Sequence, residues 1–198
     1  MPRELFEIYI NSSSGFNHLL SVTNASAALS VCRNNKVDLI LMDVMTELGN
    51  SGLVAAEEIK REFPSVKIII VTSMPEYSWI ERARKIGVDS FWYKDGQKDS
   101  ILKVMERTMD GEHIYPDETP LIHIGNSTNH EFTGRELDIL KELTTGDTNA
   151  AIAERLHVSV PTVKSHIQHL MEKTGFKTRT ELVSEARALG IVIKDANS

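Results

Sequence analysis

Residues 37–46 read VDLILMDVMT, an apolar run that ends on a carboxylate, Asp43. A run this short, apolar on both faces, predicts a parallel strand covered by helices on either side. Asp at a strand end is by itself an ordinary turn residue, so Asp43 takes its meaning from what the rest of the chain sets beside it. Three more runs share the texture: HLLSVT (18–23), VKIIIVT (66–72) and VDSFWYK (88–94). Alternating with them, SAALSVCRN (26–34), GLVAAEEIKREF (52–63), PEYSWIERARKIG (75–87) and SILKVMERTMD (100–110) carry helical spacing. Leu53, Ala56, Ile59 and Phe63 fall on one face of the second of these. Ser73 and Glu76 bracket Pro75 as a capping box, and Gly87 stands where that helix should stop. Strands alternating with helices predict an α/β domain with a doubly wound parallel sheet.

In such a sheet ligands bind beyond the carboxyl ends of the strands. Asp43, Thr72 and Lys94 each end a different strand, so the fold gathers them on one rim. A carboxylate can act as a nucleophile and carry a phosphoryl group as an aspartyl phosphate. A lysine offsets the charge on the phosphoryl oxygens, and a hydroxyl donates a hydrogen bond to them. Taken singly, Thr72 reads as strand propensity and Lys94 as a solvated lysine. Three such residues closing three strands of one sheet predict a phosphoryl-accepting site. A phosphatase built on an Asp-x-Asp pair would need an acid at Met45, so no enzymatic activity is expected.

The chain has 198 residues, a formal net charge of −6 and one cysteine, Cys32. The charge rules out bulk attraction to nucleic acid, so any such binding needs a local surface. One cysteine allows neither an intramolecular disulfide nor a thiolate zinc cluster and suits a reducing cytosol. No apolar stretch is long enough for a membrane span, and the N-terminus lacks the apolar core of a signal peptide. A cytoplasmic protein is expected.

Residues 111–130, GEHIYPDETPLIHIGNSTNH, are rich in Pro, Gly, Asn and His and read as a linker. Beyond it the strand texture stops. Thr133 and Glu136 form a second capping box, and helices are predicted at 134–144, 149–156, 160–174 and 179–189. In NAAIAERLHVSVPTVKSHIQHLMEK, Ile152, Ala153, Leu156, Val163, Ile167 and Leu170 turn inward. Lys164, Ser165 and Gln168 are left on one outward face near a helix N-terminus, the geometry with which a recognition helix meets base edges. Thr162 and Asn149 are placed to hold phosphate. His166 and His169 are too few to hold a metal.

LILMD, IIIVTS and GVDSFWYKD resemble the receiver domains of two-component response regulators, with their flavodoxin-like sheet. The resemblance implies that a sensor histidine kinase phosphorylates Asp43 and that Thr72 and Lys94 are the switch hydroxyl and the phosphate-pairing lysine. It also implies that Phe91 is the aromatic that turns with phosphorylation. Receivers open with a strand ending in two acids that hold Mg2+. Here residues 1–11 already carry helical spacing, with Leu5, Ile8 and Tyr9 on one face. Reading LFEIYI (5–10) as that strand would leave too short a crossover to HLLSVT. The expectation is a receiver at residues 1–110 that lacks its first strand, with Asp43 and the backbone carbonyl of Met45 as the Mg2+ ligands that remain. Glu47 stands where the family usually has proline.

TGRELDIL, NAAIAERL, TVKSHIQHLMEK and TRTEL closely resemble the C-terminal helix-turn-helix of NarL/FixJ-type, LuxR-like regulators; the resemblance covers nearly all of 131–190 and implies a domain at 131–198. This implies an all-α domain of four helices that binds double-stranded promoter DNA, as a homodimer when active, with helix 179–189 as dimer surface. The expected function is a transcription regulator switched by phosphorylation. The alternative keeps the DNA-binding domain and uses the receiver for dimerisation alone.

Overall fold

The computed structural model describes residues 3–46, 51–94 and 100–192. The chain forms two compact units. The first runs to Ser73 and resumes over Ser78–Glu118. The second holds Met74–Tyr77 and everything from Thr119 onward. Among the described residues no helix is long and apolar enough to cross a membrane. Glu47 lies outside them.

The first unit contains α1 (Arg3–Ser12), α2 (Ser26–Asn34), β1 (Leu39–Asp43), α3 (Gly52–Glu62), β2 (Lys67–Thr72), α4 (Ser78–Ile86), β3 (Ser90–Tyr93) and α5 (Ile101–Met109). The strands form a parallel sheet in the order β1-β2-β3. Leu39 pairs with Lys67 and Asp43 with Val71, while Ile69 pairs with Ser90 and Thr72 with Tyr93. Strand side chains alternate between faces. Ile69, Val71 and Trp92 pack with Ile101, Val104 and Met105 of α5 and with Phe6 of α1. Ile68 and Ile70 on the opposite face are also fully buried. This two-sided burial is what the unbroken KIIIVT run encodes.

Two expectations fail here. HLLSVT is not a strand: residues 18–23 join no sheet, and Leu19 is 53% exposed. A strand needs a neighbour for its backbone hydrogen bonds. Beside the outer edge of β1 lies instead a cleft of about 1000 Å³, lined by residues 15–23, by β1 and by Met105 and Met109 of α5. The helix expected from Pro75 begins only at Ser78. The Ser73–Glu76 capping box does not form, because Glu76 is fully buried and accepts a 3.3 Å bond from Lys141. The helix predicted over residues 1–11 is α1.

The second unit begins with a short hairpin, β4 (His123–Ile124) and β5 (Ser127–Thr128), inside the segment read as linker. A 3-10 turn over Asn129–Glu131 leads into α6 (Gly134–Leu143), α7 (Asn149–Arg155), α8 (Val160–Thr174) and α9 (Arg179–Ala188). The Thr133–Glu136 capping box forms in both directions, and Thr178–Glu181 makes another at α9. Ile139, Leu140, Ile152, Val163, Leu170 and Leu182 make the core. The hairpin is fastened to the end of α8. Asn126 N–H donates to Thr174 O at 2.9 Å. A Cβ on Gly125 would meet that oxygen at 2.2 Å, and one on Gly175 would meet Asn126 Nδ2 at 2.4 Å. Both glycines have positive φ, so the close approach and the left-handed turn each require the missing side chain.

Asp89 sits buried at the opposite end of the first sheet from Asp43. It accepts from Lys60 Nζ at 2.5 Å, Lys67 Nζ at 3.0 Å and Ile68 N–H at 2.9 Å. Burial pushes its carboxyl up, but these donors outweigh it and hold the group below the usual carboxylate range. A depressed folded-state pKa gives stability that is full above the unfolded value of about 3.9 and is lost as pH falls through the folded one. Asp89→Asn should therefore cost about 2–3 kcal/mol at neutral pH, with the gap to wild type closing below about pH 3.9 in denaturant titrations. Gly52 tests a second constraint. A Cβ there would lie 1.9 Å from Asp43 O, so Gly52→Ala should cost about 2 kcal/mol or more, read as a lower denaturation midpoint.

Candidate phosphoacceptor site and nucleic-acid face

The register sets the first site. β2 lies between β1 and β3, and Asp43, Thr72 and Lys94 stand at or just beyond the same ends of the three strands. Lys94 Nζ donates to Asp43 Oδ2 at 2.5 Å, and Met45 N–H donates to Asp43 Oδ1 at 3.2 Å. The Asp43 side chain is 37% exposed and that of Lys94 only 11%, so the carboxylate is reachable while its cationic partner is held from below. Lys94 N–H also donates to Thr72 O at 2.8 Å, which ties β3 to β2 at the rim. The Thr72 side chain is buried.

Phe91 lies elsewhere. It is fully buried on the other side of β3 from Trp92, its ring 5.2 Å from that of Tyr93 and 6.4 Å from that of Tyr115. Sequence reasoning missed two contributors. Phe6 of α1 meets Trp92 edge-on at 6.3 Å, and the Lys94 ammonium stands 6.0 Å from its ring centroid. Gly52 lets the start of α3 press against the Asp43 carbonyl and donates its N–H to Val44 O at 2.8 Å. A glycine opening a helix just after the acceptor loop was the available signal.

Among the described residues the donor set for Mg2+ is small. A cation here would have Asp43 and the Met45 carbonyl, and among the described residues no group of three or more His, Cys, Asp or Glu gathers around a common point. Both Asp43 oxygens already accept bonds. Mg2+ takes six oxygen ligands, several of them water; of these the described residues would supply an Asp43 oxygen and the Met45 carbonyl, and no step below runs through it.

In the second unit α7 and α8 form the helix-turn-helix, and the turn passes through His157 with φ of 53°. Val163 and Leu170 are buried and Ile167 is half-buried, which leaves Lys164, Ser165 and Gln168 exposed on the outer face of α8. Asn149, Lys164 and Gln168 share an open concavity of about 420 Å³ with Met171, Glu172 and Phe176. Ser165 stands outside its lining. Gln168 Nε2 donates to Glu172 Oε1 at 2.8 Å.

Two phosphate candidates have structural bonds. Thr162 shares a 2.7 Å hydroxyl contact with Ser159, whose side chain caps α8. Asn149 Oδ1 accepts from Arg179, which also donates to Asp147 O at 2.6 Å. Lys173, in the last turn of α8, donates to Glu136 at 2.7 Å. The His166 and His169 rings meet edge-on at 6.3 Å.

Comparison with known proteins agrees with both halves. Residues 1–106 match the response regulator receiver domain, and residues 130–186 match the bacterial regulatory proteins of the luxR family. The response regulator protein VraR of Staphylococcus epidermidis is 31% identical over 162 residues, 79% of this chain and 77% of that protein. VraR of Staphylococcus saprophyticus is 28% identical over 181 residues, 88% and 86% of the two chains. Among solved structures, two RcsB dimers bound to two parallel DNAs align with TM-score 0.60 at 18% identity over 96% of this chain and 94% of that one. An RcsB–DNA complex aligns with TM-score 0.59 at 18% identity over 95% and 94%. A receiver with a three-stranded parallel sheet, followed by a LuxR-type helix-turn-helix, makes this chain a member of the NarL/FixJ-type response regulators.

Proposed function

We propose that this protein regulates transcription by binding promoter DNA through α8 and that phosphorylation of Asp43 by a sensor histidine kinase switches it. The observation that carries the reading is the Lys94 ammonium 2.5 Å from a part-exposed Asp43 carboxylate on the rim of the sheet. An Asp43 oxygen would attack phosphorus as the phosphorus–nitrogen bond of a phosphohistidine breaks, and the imidazole would leave with the electron pair. Lys94 would then pair with the phosphoryl oxygens and Thr72 would donate its hydroxyl to them. The new contacts bias an equilibrium between receiver states that exist beforehand. RcsB binds DNA as dimers; by the family resemblance a pair of subunits would likewise read two half-sites here, with α9 as the dimer surface. Function in the cytoplasm, where kinase and promoter meet, follows from this reading.

A second reading keeps the DNA domain and makes the receiver a dimerisation module. Among the described residues, the small number of cation donors around Asp43 favours it. Incubation with acetyl phosphate and magnesium separates the two. The switch requires a mass gain of one phosphoryl group in wild type and none in Asp43→Asn, whereas the dimerisation reading requires no gain in either.

On the DNA side, Lys164→Ala should weaken specific binding by about 1–3 kcal/mol, measured by fluorescence anisotropy on a labelled promoter duplex. Wild-type binding should also weaken steeply with added salt. Undiminished affinity in Lys164→Ala would remove α8 as the recognition face.

A further inference from the structure

Residues 112–115 leave α5 and lie along β3. Phe91 N–H donates to Ile114 O at 2.8 Å, and Ile114 N–H donates to Ser90 Oγ at 3.1 Å. His113 Nδ1 lies 3.0 Å from Asp89 O. Tyr115 adds a side-chain anchor. Its hydroxyl donates to Val88 O at 2.7 Å, the Arg84 guanidinium stands 4.5 Å over its ring, and the ring tilts against Phe91 at 32°. Among the described residues strand β3 pairs with β2 on one side alone, so this segment covers an edge that would otherwise stand open.

These contacts lead back to the rim. Phe91 and Tyr93 share a face of β3 with rings 5.2 Å apart. Tyr93 pairs in register with Thr72, and Lys94, the next residue, bonds both Thr72 O and Asp43. A pull on Lys94 and Thr72 toward a phosphoryl group on Asp43 therefore acts on the end of β3 that carries both rings. Phe91 is fully buried, and a close-packed ring moves only if a neighbour gives way. Tyr93 is fixed in the sheet. Tyr115, which packs on the Phe91 ring from outside every helix and strand, is held there by its own few contacts.

We infer that Tyr115 is a clasp that fastens the start of the linker to β3 in the resting receiver and releases it when Phe91 shifts upon phosphorylation of Asp43. The inference rests on the switch reading above. Release adds the residues after Glu112 to the tether, and the reach of a flexible tether grows with the square root of its length.

Hydrogen exchange of the full chain, followed by mass spectrometry with and without acetyl phosphate and magnesium, tests it. The amides of Phe91 and Ile114 report the clasp directly. Phosphorylated wild type should exchange them at least about tenfold faster, a change in opening free energy of about 1.4 kcal/mol or more, while Asp43→Asn should not respond. Tyr115→Ala should show the faster exchange without any phosphoryl donor. Tyr115→Phe keeps the ring and loses the bond to Val88, so it should show a smaller rise, and it carries the test if the alanine variant fails to fold. A mass gain on Asp43 with unchanged exchange overturns the clasp and leaves the switch standing. Absence of the mass gain overturns the switch and the clasp with it. Resting-level exchange in folded Tyr115→Ala also overturns the clasp.

Discussion

The ion pair between Asp43 and Lys94 joins the two outer strands of the sheet across the central one. Neither side chain could hold its place without β2 between them, and β2 is placed by burial on both of its faces. The rim is thus the product of the apolar core. Ile68 to Val71 fix the strand, the strand fixes the spacing of its neighbours, and the spacing brings a carboxylate and an ammonium within bonding distance. With its carboxylate part-exposed, an ion pair of this kind adds modestly to stability at most. Its worth lies in keeping a positive charge beside a carboxylate that solvent and reactants can reach.

Much of this was legible in the sequence because the signals were local and redundant. The KIIIVT run, the Thr133–Glu136 box and the inward spacing of Val163 and Leu170 each declare an element without help from distant residues. Reading failed where an element depends on something far away. HLLSVT has the composition of a strand, but composition cannot supply the neighbour whose backbone it would pair with. Ser73–Glu76 has the form of a capping box, but the buried Glu76 carboxylate accepts a bond from Lys141, which is remote in sequence.

The candidate sites divide in the same way. Asp43 and Lys94 come together because each closes a strand, a pattern visible in one dimension. Phe91, which the resemblance makes the aromatic that turns with phosphorylation, is buried against Tyr93 and Tyr115. Tyr115 lay in a segment that composition marks as linker, and its ring and backbone neighbours give it a fixed seat. On the second unit, Lys164 and Gln168 are exposed as their spacing required. Lys173 has the same charge but bonds Glu136, so a count of basic residues overstates what is available to a polyanion.

The hairpin at residues 123–128 has a mechanical meaning for α8. Its backbone grips the last turn of that helix at Thr174, and the two glycines leave no room to slip. A helix anchored at its far end cannot slide or roll by itself against its neighbours. On the proposed reading of α8 as the recognition helix, its angle of entry into a groove is therefore decided at folding, and the domain would meet a duplex as one solid wedge rather than as a probe that searches for its own tilt.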